Sequence, residues 1–203
     1  MNSCVLTIET TGLPSFIGVA RGEYPSYTII QKYNGCRLIQ LSWVILNTEF
    51  EEIDRQTLII KPRGFLIPIA GVYFHGIMTE DAMGRGIDFE AAMETLHVSI
   101  QNCSILVSHN LAFAKNTLLS ELSRQMNSTA TSLSSKLLSM TLCCTMEQGR
   151  RQLSLGKPPK LCDLFTLLMQ QAFPNTDKTR HCAEIYTQLQ RNELDLVFCS
   201  NFM

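Results

Sequence analysis

The chain has no apolar run close to the roughly 20 residues that a membrane-spanning helix needs, so no membrane span is expected. It has no strongly basic stretch, and Lys+Arg 17 against Asp+Glu 18 leave a net charge of −1. Bulk charge therefore gives no support for tight non-specific nucleic-acid binding, although a local basic groove is compatible with any net charge. The 8 cysteines include no Cys-x-x-Cys pair and fit no zinc spacing. Most lie inside apolar runs, where a reduced thiol acts as a small hydrophobe. With no secretory leader, this points to an intracellular, reducing compartment, cytoplasm or nucleus. There is no internal repeat and no linker long enough to divide the chain, so residues 1–203 are expected to form one domain.

What is present is a globular balance, 45% apolar and 17% charged. Residues 4–9 read as a buried strand ending in Glu9, and the loop-like segment 14–35 is rich in Gly, Pro, Ser and Tyr. Residues 37–45 and 56–61 are the next strand candidates, the former carrying the lone tryptophan, Trp43, expected in the core. Helical spacing then takes over: Thr79 and Asp88 are candidate N-caps, and Phe89, Ala92, Met93, Leu96 and Ile100 share one helical face. A strand at 104–107 precedes a helix at 112–126. Residues 127–135, uncharged and rich in Ser and Thr, read as a loop. The apolar run 137–146 contains the last strand, and helices follow at 160–171 and 179–198. Met93, Met126, Met140 and Met146 are read as core filler. This order suits an α/β fold, a mixed central sheet of about five strands with helices on both faces.

Val5-Leu6-Thr7-Ile8-Glu9-Thr10-Thr11-Gly12-Leu13 resembles the first signature of the DEDDh 3′–5′ exonuclease superfamily, Asp-x-Glu-Thr-Thr-Gly-Leu. Further motifs resemble that family in its order: residues 37–43, Lys61-Pro62, His75-Gly76-Ile77, Ser108-His109-Asn110-Leu111-Ala112-Phe113, Pro159-Lys160-Leu161 and His181-Cys182-Ala183. The resemblance covers nearly the whole chain and implies a ribonuclease H-like fold. It also implies two-metal phosphodiester hydrolysis, with Mg²⁺ or Mn²⁺ held by four acids and a His as general base.

The carry-over fails at most of those positions. The first acid falls on Thr7, the third on Ala114 beside Lys115, and the fourth on Tyr186; only Glu9 and His181 match. Neither Glu184 nor Asp163 is placed to substitute. One carboxylate cannot offset two divalent ions, and each lost stabiliser costs on the order of 10²–10³ in rate. No metal is expected. Glu9 is expected to pair with Lys115, His181 or a backbone amide, and His181 to sit at a helix N-terminus or face a partner. His75 and His109 are expected to make structural hydrogen bonds in turns. Thr10, Thr11 and Gly12 either cradle a nucleotide 3′ end, with His75 and Asn110 as further candidates, or simply end a strand.

The leading expectation is a catalytically inactive, exonuclease-like module that binds a protein or a nucleic-acid 3′ end, or acts as a scaffold. One alternative is a weak metal-dependent nuclease using Glu9 and His181, with Mg²⁺ or Mn²⁺. Another is a purely structural subunit of a larger complex. Eroded sites of this kind occur among virus-encoded proteins, which makes a viral source a further expectation.

Overall fold

The structure is a computed structural model that describes residues 1–125, 127–174 and 176–200, with 194–200 described by backbone alone. Five strands form one sheet: β1 (Asn2–Thr10), β2 (Leu38–Leu46), β3 (Glu52–Ile59), β4 (Cys103–Ser108) and β5 (Thr141–Cys144). Their order across the sheet is β3-β2-β1-β4-β5. β1, β2 and β3 pair antiparallel, while β4 runs parallel to both β1 and β5. The mixed five-stranded sheet with helices on both faces is the architecture the residue order predicted.

Strand alternation divides the core in two. Cys4 and Leu6 on β1, Leu41 and Trp43 on β2 and Leu106 on β4 pack against α3 (Phe89–Ser99), α4 (Leu111–Ser123) and α5 (Ser128–Ser139). Val5, Val44 and Val107 point the other way, onto Cys182, Ala183 and Tyr186 of α8 (Lys178–Ser200). Trp43 is fully buried and its indole N–H donates to Asp54. Among the described residues no helix is long and apolar enough to cross a membrane.

The expected loop at 127–135 is instead the start of α5. Its low-propensity Ser and Thr residues hide a helix that is fixed from outside. Asn127 caps it by accepting from the Ala130 N–H, and Ala130, Leu133 and Leu137 are buried. Burying a leucine contributes about 1.5–3 kcal/mol, enough to override the propensity deficit of several serines. Two shorter helices also went unread: α1 (Ile69–His75), ended by Gly76 at φ 71°, and α6 (Thr145–Gln152). Thr79 opens α2 (Thr79–Arg85) as its first residue, not its cap; its hydroxyl accepts from the Ile67 N–H. Asp88 is the N-cap residue of α3, without a side-chain cap bond. Cys4, Cys36, Cys103 and Cys182 are buried thiols, while Cys143, Cys144 and Cys162 are half-buried. Met93 and Met140 are buried and Met146 is half-buried. The readings of Met126 as core filler and of the Cys199 thiol as buried lie outside the described residues.

Candidate binding cleft

β1 carries Thr7 and Glu9 on the same face, two residues apart, toward the N-terminal turn of α8. Thr7 Oγ1 meets Thr179 Oγ1, and Glu9 Oε1 accepts from Lys178 Nζ at 2.7 Å. The partner of Glu9 is therefore neither Lys115 nor His181. Lys115 lines a separate cavity beside Asn110, and the sequence carried no signal for Lys178 because only the fold brings α8 back onto β1.

Two cavities meet at Glu9, Phe74 and His75. One, of about 490 Å³, is polar, lined by Thr7, Gln40, Ser42, Thr57, Lys178 and Thr179. The other, of about 430 Å³, is apolar, lined by Ile8, Gly12, Leu13, Pro68, Phe74 and Phe113. Asp177 borders the polar cavity, but its carboxylate is engaged: Arg55 donates to it at 2.7 Å, and the Arg180 N–H donates at 2.9 Å.

The Thr10-Thr11-Gly12 turn is tied down by its own hydrogen bonds. Thr10 Oγ1 donates to Gly12 O, and Thr11 Oγ1 donates to Gly35 O while accepting from the Arg37 N–H. The Thr11 N–H donates to Arg37 O at 2.9 Å, so it is spent within the fold. Gly12 is required for packing: a Cβ there would stand 2.9 Å from Gly35 O. Gly71 of α1 makes room in the same way for the His75 ring, whose Nε2 would lie 2.9 Å from a Cβ. His75 Nδ1 accepts from the Ile77 N–H at 3.1 Å, and its Nε2 is buried without a partner.

The remaining sequence-derived positions lie elsewhere. Ala114 is buried in the core beneath α4, 2% exposed, and lines neither cavity. Tyr186 does not face Thr7: its hydroxyl meets Ser3 Oγ at 3.2 Å and its ring packs edge-on to Phe50. The α8 residue opposite Thr7 is Thr179, because α8 runs antiparallel to β1 and Tyr186 falls two turns further along. His181 lies in the first turn of α8, as expected, but it faces neither a partner surface nor Glu9. Its ring is 4.9 Å from Phe165 of α7 (Leu161–Met169) and 5.1 Å from Phe173, and Nδ1 is 2.9 Å from Glu184. Glu9 and His181, which a residual nuclease would need together, share no cavity. Asn110 adopts φ 60° at the head of α4 and donates from Nδ2 to Tyr24 at 2.7 Å, away from Glu9.

His109 is structural. Its Nε2 lies 3.1 Å from Pro159 O, an acceptor, so Nε2 carries the proton and Nδ1 accepts from Thr145 Oγ1 at 3.1 Å. Burial lowers the His109 pKa against the opposing pull of that carbonyl; burial, aided by Lys178 and opposed by Glu9, also lowers that of His75. Above the ordinary imidazole value of about 6.5 both rings are neutral, folded or unfolded, and their contribution is complete. Below it the unfolded chain takes up protons that the fold resists, so stability falls with falling pH, by at most about 1.4 kcal/mol per pH unit per group. The deeper His109 should dominate. The melting temperature is expected to be lower at pH 5.5 than at pH 7.5, and an unchanged or higher value would overturn this account.

Do these residues suit the Mg²⁺ or Mn²⁺ pair that the sequence resemblance implies? Hard cations need several charged oxygens converging on one point. Here the convergent groups are two hydroxyls, a carboxylate paired with an ammonium and a carboxylate paired with a guanidinium. Among the described residues no three His, Cys, Asp or Glu side chains cluster as metal ligands. The donor set does not fit the metals.

The fold is that of 3′–5′ exonucleases, the ribonuclease H-like arrangement that the sequence motifs implied. The chain is similar to Escherichia coli exonuclease I in complex with a 5cy-dT13 oligonucleotide, with a TM-score of 0.71 and 14% identity over 96% of this chain and 42% of that one. It is similar to exonuclease I from Methylocaldum szegediense, with a TM-score of 0.67 and 16% identity over 94% of this chain and 40% of that one. A 3′-exonuclease solved for its 3′-end-specific recognition of a histone mRNA stem-loop gives a TM-score of 0.61 and 14% identity, over 94% and 64% of the two chains. The chain thus spans about two-fifths of the length of the exonuclease I structures. No protein-family model matches it, and no curated protein matches it in sequence.

Proposed function

We propose that this chain is an exonuclease-like module that has lost metal-dependent hydrolysis and keeps the cleft to hold a nucleic-acid 3′ end. The observation that carries the first half is the Lys178–Glu9 pair at 2.7 Å. An ammonium stands on the one signature acid that remains, with the Thr7 and Thr179 hydroxyls beside it instead of carboxylates. A divalent ion entering there would have to displace an internal cation and would gain only one free carboxylate in return.

The second half is supported by the pairing of a polar and an apolar cavity at Glu9 and His75. Hydroxyls and amides suit a sugar, and Leu13, Phe74 and Phe113 suit a base face. The similar structures include one bound to an oligonucleotide and one that recognises an RNA 3′ end. Two measurements test the reading. Labelled single-stranded DNA and RNA are expected to remain uncut in millimolar Mg²⁺ or Mn²⁺; cleavage that vanishes in Glu9→Gln overturns the inactive assignment. Fluorescence anisotropy with the same oligonucleotides is expected to show binding that a 3′-phosphate weakens. Absence of binding at low salt overturns the 3′-end assignment.

A further inference from the structure

α1 is a helix with its apolar side turned outward. Gly71, Val72 and His75 face inward and are half-buried, while Ile69, Tyr73 and Phe74 are 77%, 86% and 81% exposed. Leu66, just before the helix, is 76% exposed, and Leu13, across the apolar cavity, is 68% exposed. Scattered apolar residues on a surface need no explanation, but a contiguous helical stripe beside an apolar cavity marks an interaction site. Neither the stripe nor the lining of the apolar cavity contains a Lys, Arg or Asp. The single charge there, Glu9, is already paired with Lys178.

We propose that this face is a two-fold interface between two copies of the chain. Three observations select a second copy as the occupant. An interface that meets itself across a two-fold axis brings like charges together unless it has none, and this face has no unpaired charge. The net charge of −1 offers almost no long-range repulsion between copies. Finally, the face holds both a projection and a recess: Ile69 and Tyr73 protrude beside the cavity of about 430 Å³ that Phe74 borders. A two-fold axis near α1 seats the projection of each copy against the recess of the other. The partner then contributes a side chain to the apolar half of the cleft. Self-association and nucleic-acid binding become competitors, although the dimer itself does not depend on the binding assignment.

Sedimentation velocity of the full chain from about 1 to 100 μM tests this directly, spanning the range where weak dimers form. The expected result is a concentration-dependent shift from monomer to dimer mass. Tyr73→Glu and Phe74→Glu are expected to weaken dimerisation roughly thirtyfold or more, as loss of a central aromatic anchor does. Both side chains are exposed, so the variants should keep the wild-type circular dichroism spectrum and melting temperature at dilute concentration. A wild-type chain that stays monomeric at the highest concentration overturns the proposal. So does a dimer that withstands both substitutions, since its interface must then lie elsewhere.

Discussion

Replacing Glu121 by Ala is expected to destabilise the chain by about 3–5 kcal/mol, the range found when one partner of a buried ion pair is removed. The Glu121 side chain is 5% exposed and accepts from Arg37 Nε at 2.6 Å and Arg37 Nη2 at 3.1 Å. It also accepts from the Leu38 N–H at 3.2 Å, and Arg124 Nε lies 3.8 Å away. Removing the carboxylate strands a guanidinium and a backbone donor in a site that water barely reaches. The loss should reach the cleft as well, because the backbone of Arg37 clamps both the N–H and the hydroxyl of Thr11. Urea unfolding of wild type and variant gives the number. A loss below about 1 kcal/mol would place the pair with weak surface salt bridges. A double change, Glu121→Leu with Arg37→Met, is expected to recover much of the loss, since the penalty comes from the orphaned charge and not from a missing attraction.

The fold was largely legible because its signals are local. Strand alternation around Cys4, Val5 and Leu6, helical spacing from Phe89 to Ile100 and the turn at Gly12 each act within a few residues. The same locality explains the errors. Helix α5 was hidden because its serines and threonines disfavour a helix that packing on α3 and α4 then imposes. The ligand positions were legible as losses: Thr7, Ala114 and Tyr186 are not acids in any register. Their geometry was not legible. Counting five residues along α8 from His181 reaches Tyr186, yet the residue that meets Thr7 is Thr179, and the cation on Glu9 is Lys178, 169 positions away in sequence. No periodicity reports how a last helix is set in register against a first strand; only the tertiary packing of Val5, Cys182 and Ala183 fixes it.

That register yields a second large effect. Restoring acids at the sequence-matched positions, Ala114→Asp with Tyr186→Asp, is expected to unfold the chain. The first places a carboxylate in a core position 2% exposed, and the second removes a buried ring and leaves a charge facing Val5 and Val107. Acids placed by geometry should behave differently. Thr7→Asp and Thr179→Asp put two carboxylates where two hydroxyls now touch, with Glu9 two residues along the same strand face. Lys178→Gln removes the internal cation from Glu9. Without metal this triple variant is expected to melt below wild type, because three like charges then share one cleft. Millimolar Mg²⁺ or Mn²⁺ should reverse the loss. At a concentration about 100 times the dissociation constant, binding contributes roughly 2.7 kcal/mol, and each kcal/mol raises the melting temperature of a domain this size by about 2–4 °C. A metal-dependent rise of about 5–10 °C in the triple variant, with none in wild type, is the expected thermal-shift result. If the triple variant folds without responding to metal while the Ala114 and Tyr186 pair gains a response, the register of α8 against β1 described above is wrong. The distinction matters for the protein's history as well as its chemistry: an ion pair where a metal would sit keeps the cleft's charge neutral, so the exonuclease-like frame can stay folded without the metals that the fold's hydrolytic chemistry requires.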